Sequence, residues 1–215
     1  MSTAVILPVK SFVNAKQRLG ERFGGPERTV LAAAMVEDVL NELAAAQLGP
    51  LVVVSGEPRA LAHALDAGAS TVVDEREGGQ SAAALLGLAR ARELGCERAL
   101  LVPGDCPLID ARELSELIAR AESLDVAIVP DRHGTGTNGL ALAAAGGYEP
   151  QFGPGSRARH VEQAVAKGLV HEVIRVPCLE LDVDTGEDAS ALADALARHP
   201  ARARRTREAL GRLAA

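Results

Sequence analysis

The sequence has very few aromatic residues and no excess of basic charge. Its 215 residues include no tryptophan, one tyrosine and three phenylalanines. Proteins that bind single-stranded nucleic acid usually stack the bases on aromatic side chains, so this composition argues against that class. The formal net charge at pH 7 is −6, and an acidic protein offers no broad basic surface to nucleic acid or to an anionic membrane. We therefore expect neither of these as a partner.

Long apolar runs and paired cysteines are missing as well. No stretch reaches the roughly 18 consecutive apolar residues that a membrane-spanning helix needs. Residues 1–8 lack the charged start of a signal peptide. The three cysteines, Cys96, Cys106 and Cys178, are odd in number and lack metal-ligand spacing, which argues against disulfides and against zinc. We expect a cytoplasmic protein.

The sequence does contain a regular alternation of short apolar runs and stretches with helical spacing. Apolar runs typical of buried strands lie at 4–7, 51–54, 71–73, 99–102 and 126–129, and helical stretches lie at 28–45, 58–67, 81–94 and 111–121. Strands that are apolar throughout are typical of a parallel sheet covered on both faces, so the alternation predicts a doubly wound α/β fold. The length and the absence of a linker predict one domain over residues 1–215.

After Pro130 the alternation becomes irregular. We predict a short strand at 140–142, a helix at 159–167, strands at 170–176 and 179–182, and a helix at 188–197. A basic helix ends the chain within residues 201–213. Its arginines are interpreted either as a solvated face or as the contact of a homodimer.

Cationic side chains follow the first predicted strand. In open α/β sheets, ligands bind beyond the carboxyl ends of the strands. Lys10, Lys16 and Arg18 lie at such an end and suit the oxygens of a triphosphate, although a solvated basic turn would have the same composition. Gly-Lys-Ser/Thr is absent, which argues against an ATPase of the P-loop type.

Three carboxylates form a candidate metal site. Asp105 follows the fourth predicted strand in P-G-D-C-P-L, and Asp182 and Asp184 stand two residues apart in L-D-V-D-T. Residues two apart on an extended segment point to the same face, and oxygen-only ligands suit Mg²⁺ or Mn²⁺. Turn positions without a ligand are the alternative. We expect Asp110 to cap a helix instead.

Glycine-rich segments provide candidate anion and nucleotide sites. Residues 131–139 contain G-T-G-T-N, and F-G-P-G-S at 152–156 precedes a predicted helix. Glycines let backbone amides approach an anion, the Thr and Asn side chains of G-T-G-T-N supply further donors to it, and helix N-termini favour negative charge. The segment 74–81 either holds a base or ribose or is a polar helix entry. His160, one helical turn after F-G-P-G-S, is expected to cap the helix rather than face the site.

Together these motifs resemble those of the guanylyltransferases of coenzyme F-420 biosynthesis, which act on phosphoenolpyruvate or 2-phospho-L-lactate. The matching segments are P-V-K-S-F-V-N-A-K-Q-R-L, P-G-D-C-P-L, P-D-R-H-G-T-G-T-N-G-L, F-G-P-G-S and L-D-V-D-T, in this order between residues 8 and 185. P-G-D-x-P-L alone is shared by many nucleotidyltransferases of the same broad fold.

The resemblance implies a single-domain, glycosyltransferase-A-like nucleotidyltransferase with a Rossmann-like mixed sheet and helices on both faces. It implies transfer of GMP from GTP to phosphoenolpyruvate, giving enolpyruvyl-2-diphospho-5'-guanosine and pyrophosphate, with 2-phospho-L-lactate or 3-phosphoglycerate as alternative acceptors. By motif it assigns Mg²⁺, expected as two ions, to Asp105, Asp182 and Asp184. It assigns phosphoenolpyruvate to Thr137, Gly153 and Ser156. It assigns GTP to Lys10, Lys16, Arg18, Gly79 and Gln80, with Lys16 and Arg18 as the catalytic cations.

The sequence departs from the family motifs at two places, and two alternative functions remain. The third-strand loop has G-G-Q-S where relatives are expected to have a sequence closer to G-L-N, and Arg157 follows F-G-P-G-S where an apolar or aromatic residue is expected. Sugar-phosphate and molybdopterin nucleotidyltransferases usually begin with L-x-G-G-x-S-x-R-M-G, whereas this chain has L-P-V-K and no glycine before Gly20. A nucleotide-binding scaffold is the non-enzymatic alternative, but it would have no need for carboxylates that repel one another without a metal.

Overall fold

The apolar runs pair into one mixed sheet in a computed structural model, which describes residues 2–12, 18–19, 23–144 and 146–213. Its strands are β1 (Thr3–Val9), β2 (Leu51–Ser55), β3 (Ser70–Val73), β4 (Arg98–Leu101), β5 (Val126–Pro130), β6 (Thr137–Ala143) and β7 (His171–Val173). Their order across the sheet is β3-β2-β1-β4-β6-β5-β7. Neighbours pair in parallel except at β6, which runs antiparallel to β4 and β5. The predicted α/β fold with a mixed sheet is confirmed.

Helices cover both faces of this sheet. They are α1 (Gly25–Ala46), α2 (Pro58–Asp66), α3 (Gln80–Glu93), α4 (Ala111–Ala121), α5 (Ser156–Ala166), α6 (Pro177–Glu180), α7 (Gly186–Arg198) and α8 (Arg204–Leu213). Side chains alternate along a strand, so Val5 and Leu7 of β1 join the apolar cluster beneath α1, α2 and α4. Ala4 and Ile6 join the opposite cluster, beneath α3 and α5.

A third apolar cluster connects the region after β1 with the C-terminal helices. It contains Leu19, Met35 of α1, Val183, Leu192 of α7 and Ala209 of α8. Because Val183 lies between two of the candidate metal carboxylates, this cluster fixes their segment against the body of the protein.

The basic C-terminal helix α8 begins at Arg204, three residues later than predicted, and it packs on α1. The Asp38 carboxylate accepts hydrogen bonds from the backbone N–H of Thr206 at 2.7 Å and from its hydroxyl at 2.8 Å. Arg205 forms an ion pair with the buried Glu37, and Arg202 forms one with Asp110. Part of the arginine-rich face is therefore used inside the chain, and the homodimer contact stays a prediction.

The region after β6 differs most from the sequence expectations. The strand predicted at 179–182 is wrong: residues 177–180 form the short helix α6, which begins at Pro177, where the fixed φ of proline suits a first helical position. The strand predicted at 170–176 is shorter in the structure, where it is the three-residue β7, and it pairs parallel to β5. Among the helices in the described ranges, none is long and apolar enough to cross a bilayer.

Candidate active site

The predicted site segments meet at one edge of the sheet. β1, β4 and β5 end at this edge, and β6 begins there because it runs in the opposite direction, so that Thr137 pairs with Pro130. The pairing is irregular between Val129 and Pro130, where β6 carries one extra residue. Such a bulge redirects side chains locally, and here Asn138 and Gly139 both lie toward Leu179.

The three candidate metal carboxylates lie on two segments joined by a backbone hydrogen bond. The N–H of Val183 donates to the carbonyl of Asp105 at 3.1 Å. Burial raises the pKa of the Asp182 carboxyl, and the negative charges of Asp105 and then Asp184 raise it further, while a hydrogen bond from Asn138 opposes the rise. The carboxylates are therefore close enough to repel one another.

The donor set suits a hard divalent cation, because it consists of carboxylate oxygens whose mutual repulsion a cation would relieve. As they stand, however, no three His, Cys, Asp or Glu side chains in the described part of the chain form a group that could hold one metal ion. Asp105, Asp182 and Asp184 are neighbours that do not yet converge on one point. The Mg²⁺ assignment therefore stays a prediction.

Asn138 links β6 to the carboxylate segment. Its side-chain Nδ2 donates to the carbonyl of Leu179 at 2.7 Å and to Oδ1 of Asp182 at 3.2 Å, and the residue is 6% exposed. The sequence motif predicted Asn138 as a donor to a bound anion. The structure instead directs this amide to a carboxylate of the chain itself.

An ion pair holds the second half of the same segment. Arg132 pairs with the buried Asp188 at 2.5 Å, and its backbone N–H donates to the carbonyl of Glu180 at 2.9 Å. The other oxygen of Asp188 accepts from the backbone N–H groups of Asp184, at 3.0 Å, and Thr185, at 2.7 Å. The loop that follows β5 thereby positions Asp184.

The three residues predicted to bind the acceptor are brought together. Thr137 opens β6, and Ser156 opens α5 just after Gly153, whose carbonyl accepts from the N–H of Ser156 at 3.0 Å. The N–H of Arg157 donates to the carbonyl of Thr135 at 3.2 Å, which ties the two glycine-rich loops to each other. Gly153 has φ +114°, a conformation that favours glycine.

The segment predicted to hold the nucleotide lies beside the glycine-rich loop 152–156. The hydroxyl of Ser81 accepts from the N–H of Phe152 at 2.9 Å. Gly79 and Gln80 directly precede Ser81 at the start of α3, and both are partly exposed. Arg159 braces the loop from its other side by donating to the carbonyl of Gln151 at 3.0 Å.

His160 is buried behind the glycine-rich loop 152–156 and caps no helix end, so the capping role expected from the sequence is wrong. Its Nδ1 lies 3.0 Å from Oγ1 of Thr137, and its Nε2 accepts from the N–H of Gln151 at 2.8 Å. Burial, and secondarily the charge of Arg159, lowers the pKa of His160 to about 4. A lone histidine in the sequence gave no sign of these partners, which lie nine and 23 residues away.

The cationic segment is described in part. Lys10 and Arg18 are exposed, whereas Lys16 lies outside the described residues. The N–H of Phe12 donates to the Glu57 carboxylate at 3.2 Å, which anchors the chain just after Lys10. Leu19, next to Arg18, is fully buried in the apolar cluster that also contains Val183. This cluster therefore connects the backbone at Arg18 with the segment that carries Asp182 and Asp184.

The two cysteines near this edge of the sheet are buried, which does not favour a thiol nucleophile. Cys106 is buried, with its sulfur 3.5 Å from the carbonyl of Leu179. Burial raises the pKa of Cys178 to about 12. Asp110 caps α4 as predicted, accepting from the N–H groups of Arg112 and Glu113.

Known proteins are similar to this chain over most of its length. A family model described as "Guanylyl transferase CofC like" matches residues 3–197. A phosphoenolpyruvate guanylyltransferase of Conexibacter woesei is 42% identical over 216 residues, covering 99% of this chain and 97% of the relative. A 3-phospho-D-glycerate guanylyltransferase of Phenylobacterium zucineum is 37% identical, covering 87% of this chain and 88% of the relative.

Solved structures show the same fold at low identity. A candidate nucleotide-diphospho-sugar transferase from Desulfovibrio desulfuricans G20 has a TM-score of 0.76 at 18% identity, covering 99% of this chain and 95% of the other. A nucleotidyl transferase from Methanothermobacter thermautotroptrophicus has a TM-score of 0.63 at 20% identity, covering 93% of this chain and 99% of the other.

Proposed function

Because the chain belongs to the CofC-like guanylyl transferase family, we propose that it transfers GMP from GTP to the phosphate of phosphoenolpyruvate, releasing pyrophosphate, as a step of coenzyme F-420 biosynthesis. The observation that carries this proposal is the position of two consecutive residues. Thr137 is a residue predicted to contact the acceptor, while Asn138 holds a candidate metal carboxylate. The acceptor and the activating metal would therefore meet at the start of β6.

The chemistry fits the residue types of the site. An oxygen of the acceptor phosphate attacks the α-phosphorus of GTP, and the bond from that phosphorus to the oxygen leading to the β-phosphate breaks. An acceptor phosphate is already anionic, so the step needs no strong general base. This agrees with the neutral, buried state of His160 and with the buried thiols.

The main difficulty is to bring two polyanions together, and the chain's residues divide this task. Asp105, Asp182 and Asp184 would hold Mg²⁺, which supplies charge neutralisation and alignment of the attacking and leaving oxygens when bound. Lys10, Lys16 and Arg18 stabilise charge on the leaving pyrophosphate. Thr137, Gly153 and Ser156 position the acceptor, and Gly79 and Gln80 contact the nucleotide.

Acceptor choice is tested by pyrophosphate release from GTP and Mg²⁺ with one acceptor offered at a time. Phosphoenolpyruvate is expected to give the highest kcat/KM, since relatives with this activity include the one that is 42% identical. 3-Phosphoglycerate is the second candidate, because a relative at 37% identity is named for it. Release with 2-phospho-L-lactate alone would overturn both assignments.

The metal assignment is tested by Asp184→Ala, which is expected to abolish detectable turnover while the protein stays folded. Loss of one electrostatic group in an active site costs roughly a hundredfold or more in kcat. Asp194→Asn is the matched control, because Asp194 is an exposed carboxylate on α7. Near-normal turnover of the Asp184 variant would refute the assignment.

A further inference from the structure

A buried pair of polar side chains lies directly behind the candidate acceptor site. Nδ1 of His160 is 3.0 Å from Oγ1 of Thr137, and His160 is 0% exposed. On the other side of the imidazole, Nε2 is 2.8 Å from the backbone nitrogen of Gln151. Both ring nitrogens are therefore occupied by fixed partners.

These partners determine the tautomer of His160. A backbone N–H can only donate, so Nε2 must accept and cannot carry a hydrogen. Because burial keeps the ring neutral above a pKa of about 4, the single ring hydrogen lies on Nδ1. Nδ1 therefore donates to Oγ1 of Thr137.

No other group among the described residues forms a hydrogen bond with the ring nitrogens of His160. Arg159, on the same helix, directs its guanidinium to the carbonyls of Gln151 and Pro154. Tyr148 donates its hydroxyl to the backbone carbonyl of His160 rather than to the ring. The ring of Phe152 meets the imidazole edge-on, with centroids 5.5 Å apart. The imidazole is held in place by apolar surfaces and by its two hydrogen bonds.

The donated hydrogen bond decides what the Thr137 hydroxyl can do. When Nδ1 donates, Oγ1 accepts and keeps its own hydrogen for another partner. In the opposite tautomer, Nδ1 would accept and would consume that hydrogen. Phosphate and carboxylate groups of an anionic acceptor offer only hydrogen-bond acceptors when ionised, so Thr137 helps them only as a donor.

We propose that His160 is a positioning residue that orients Thr137 as a hydrogen-bond donor to the anionic acceptor. The inference rests on the proposed function for the identity of the acceptor, but the tautomer on which it depends is a property of the chain alone. His160 acts through Thr137 and touches no substrate.

A matched pair of variants isolates the contact with Thr137. His160→Asn keeps a donor near the place of Nδ1, whereas His160→Leu, of similar size, has none. Both lose the acceptor for the Gln151 N–H, so this defect cancels in the comparison. The KM for the acceptor is expected to be about tenfold or more higher in the Leu variant than in the Asn variant, as for loss of a hydrogen bond to a charged group. The KM for GTP is expected to be equal in the two. Equal acceptor KM values, or a matching change in the KM for GTP, would overturn the proposal.

A second comparison asks whether His160 acts through Thr137. In a Thr137→Val background the hydroxyl is gone, so the difference between the Asn and Leu variants at position 160 is expected to disappear. A difference that persists in this background would show that His160 acts by another route.

The tautomer can be measured on the unmodified protein. With ¹⁵N-labelled histidine, NMR at pH 7 is expected to show His160 protonated at Nδ1 and unprotonated at Nε2. A hydrogen on Nε2 would overturn the proposal whether or not the protein turns over any acceptor. Inactivity with all three phosphoacids would instead refute the proposed function, so the two failures are distinguishable.

Discussion

Replacing Asn138 by alanine is expected to destabilise the protein, because its side chain holds together two segments that are more than 40 residues apart in sequence. The substitution removes the donor to the Leu179 carbonyl at 2.7 Å and the donor to the Asp182 carboxylate at 3.2 Å. A neutral hydrogen bond contributes about 1 kcal/mol and one to a charged group about 1.5–3 kcal/mol. Since the Asp182 side chain is partly solvated, we take the low end and expect a loss of about 2–3 kcal/mol. In a chain of this length, that lowers Tm by roughly 5–10 °C.

The assay is thermal unfolding, followed by circular dichroism, of the wild type and the Asn138→Ala variant without divalent metal. Asn138→Asp is expected to be still less stable, because it presents a further negative charge to Asp182 and no donor. Asn41→Ala is the control: Asn41 is exposed on α1, and such surface changes stay within about 0.5 kcal/mol. An Asn138→Ala variant with the Tm of the wild type would refute the hydrogen-bond argument.

Three further predictions concern stability and pH. Because burial and neighbouring carboxylates raise the pKa of Asp182, its ionised form destabilises the metal-free fold above the ordinary pKa of an aspartate. Asp182→Asn is therefore expected to lose activity yet raise the metal-free Tm at pH 7; an unchanged or lower Tm would contradict this. The pKa of His160 is about 4 when folded, against an ordinary 6.5, so between these values the unfolded chain binds the extra proton. As pH falls from 6.5 to 4, the free energy of unfolding of the wild type, measured with urea, should therefore fall by on the order of 3 kcal/mol through this histidine. The His160→Asn variant should not show this loss, and equal pH profiles for the two proteins would refute the argument. A methyl group at Gly87 would lie 2.3 Å from Cγ2 of Ile6, so Gly87→Ala should cost about 1–2 kcal/mol net of its gain in helix propensity. Gly211→Ala on α8, where a methyl group meets nothing within 4 Å, should not destabilise, and equal Tm values for the two variants would refute the packing argument.

The inner parallel strands β1, β2 and β4 could be predicted because they are buried on both faces and are therefore largely apolar. The direction of β6 could not be predicted, since a fully buried strand has the same composition whichever way it runs. The strand predicted at 179–182 was wrong because apolar residues there fit either structure. Only Pro177, at the first position of α6, favours the helical turn that forms.

The positions of the candidate site could be predicted better than its internal contacts. The motifs predicted that Thr137, Gly153 and Ser156 lie near one another, and the two glycine-rich loops are joined by the hydrogen bond from the N–H of Arg157 to the carbonyl of Thr135. The contact of Asn138 with Asp182 depends on the bulge in β6, since strict alternation would place Asn138 on the face of Leu140, away from Leu179. Sequence periodicity carries no information about one inserted residue of this kind.

The reversed direction of β6 also limits how the acceptor preference could be re-engineered. β5 and β6 are joined directly by residues 131–136, without a crossover helix, so the length of this loop sets the register of Thr137 and Asn138. A shift of one residue would move each side chain to the opposite face of the sheet. An insertion or deletion in this loop would therefore disturb both the proposed contact of Thr137 with the acceptor and the contact of Asn138 with Asp182. A point substitution at the exposed Arg157 leaves the register intact, so this is the position at which we expect one acceptor to be exchanged for another.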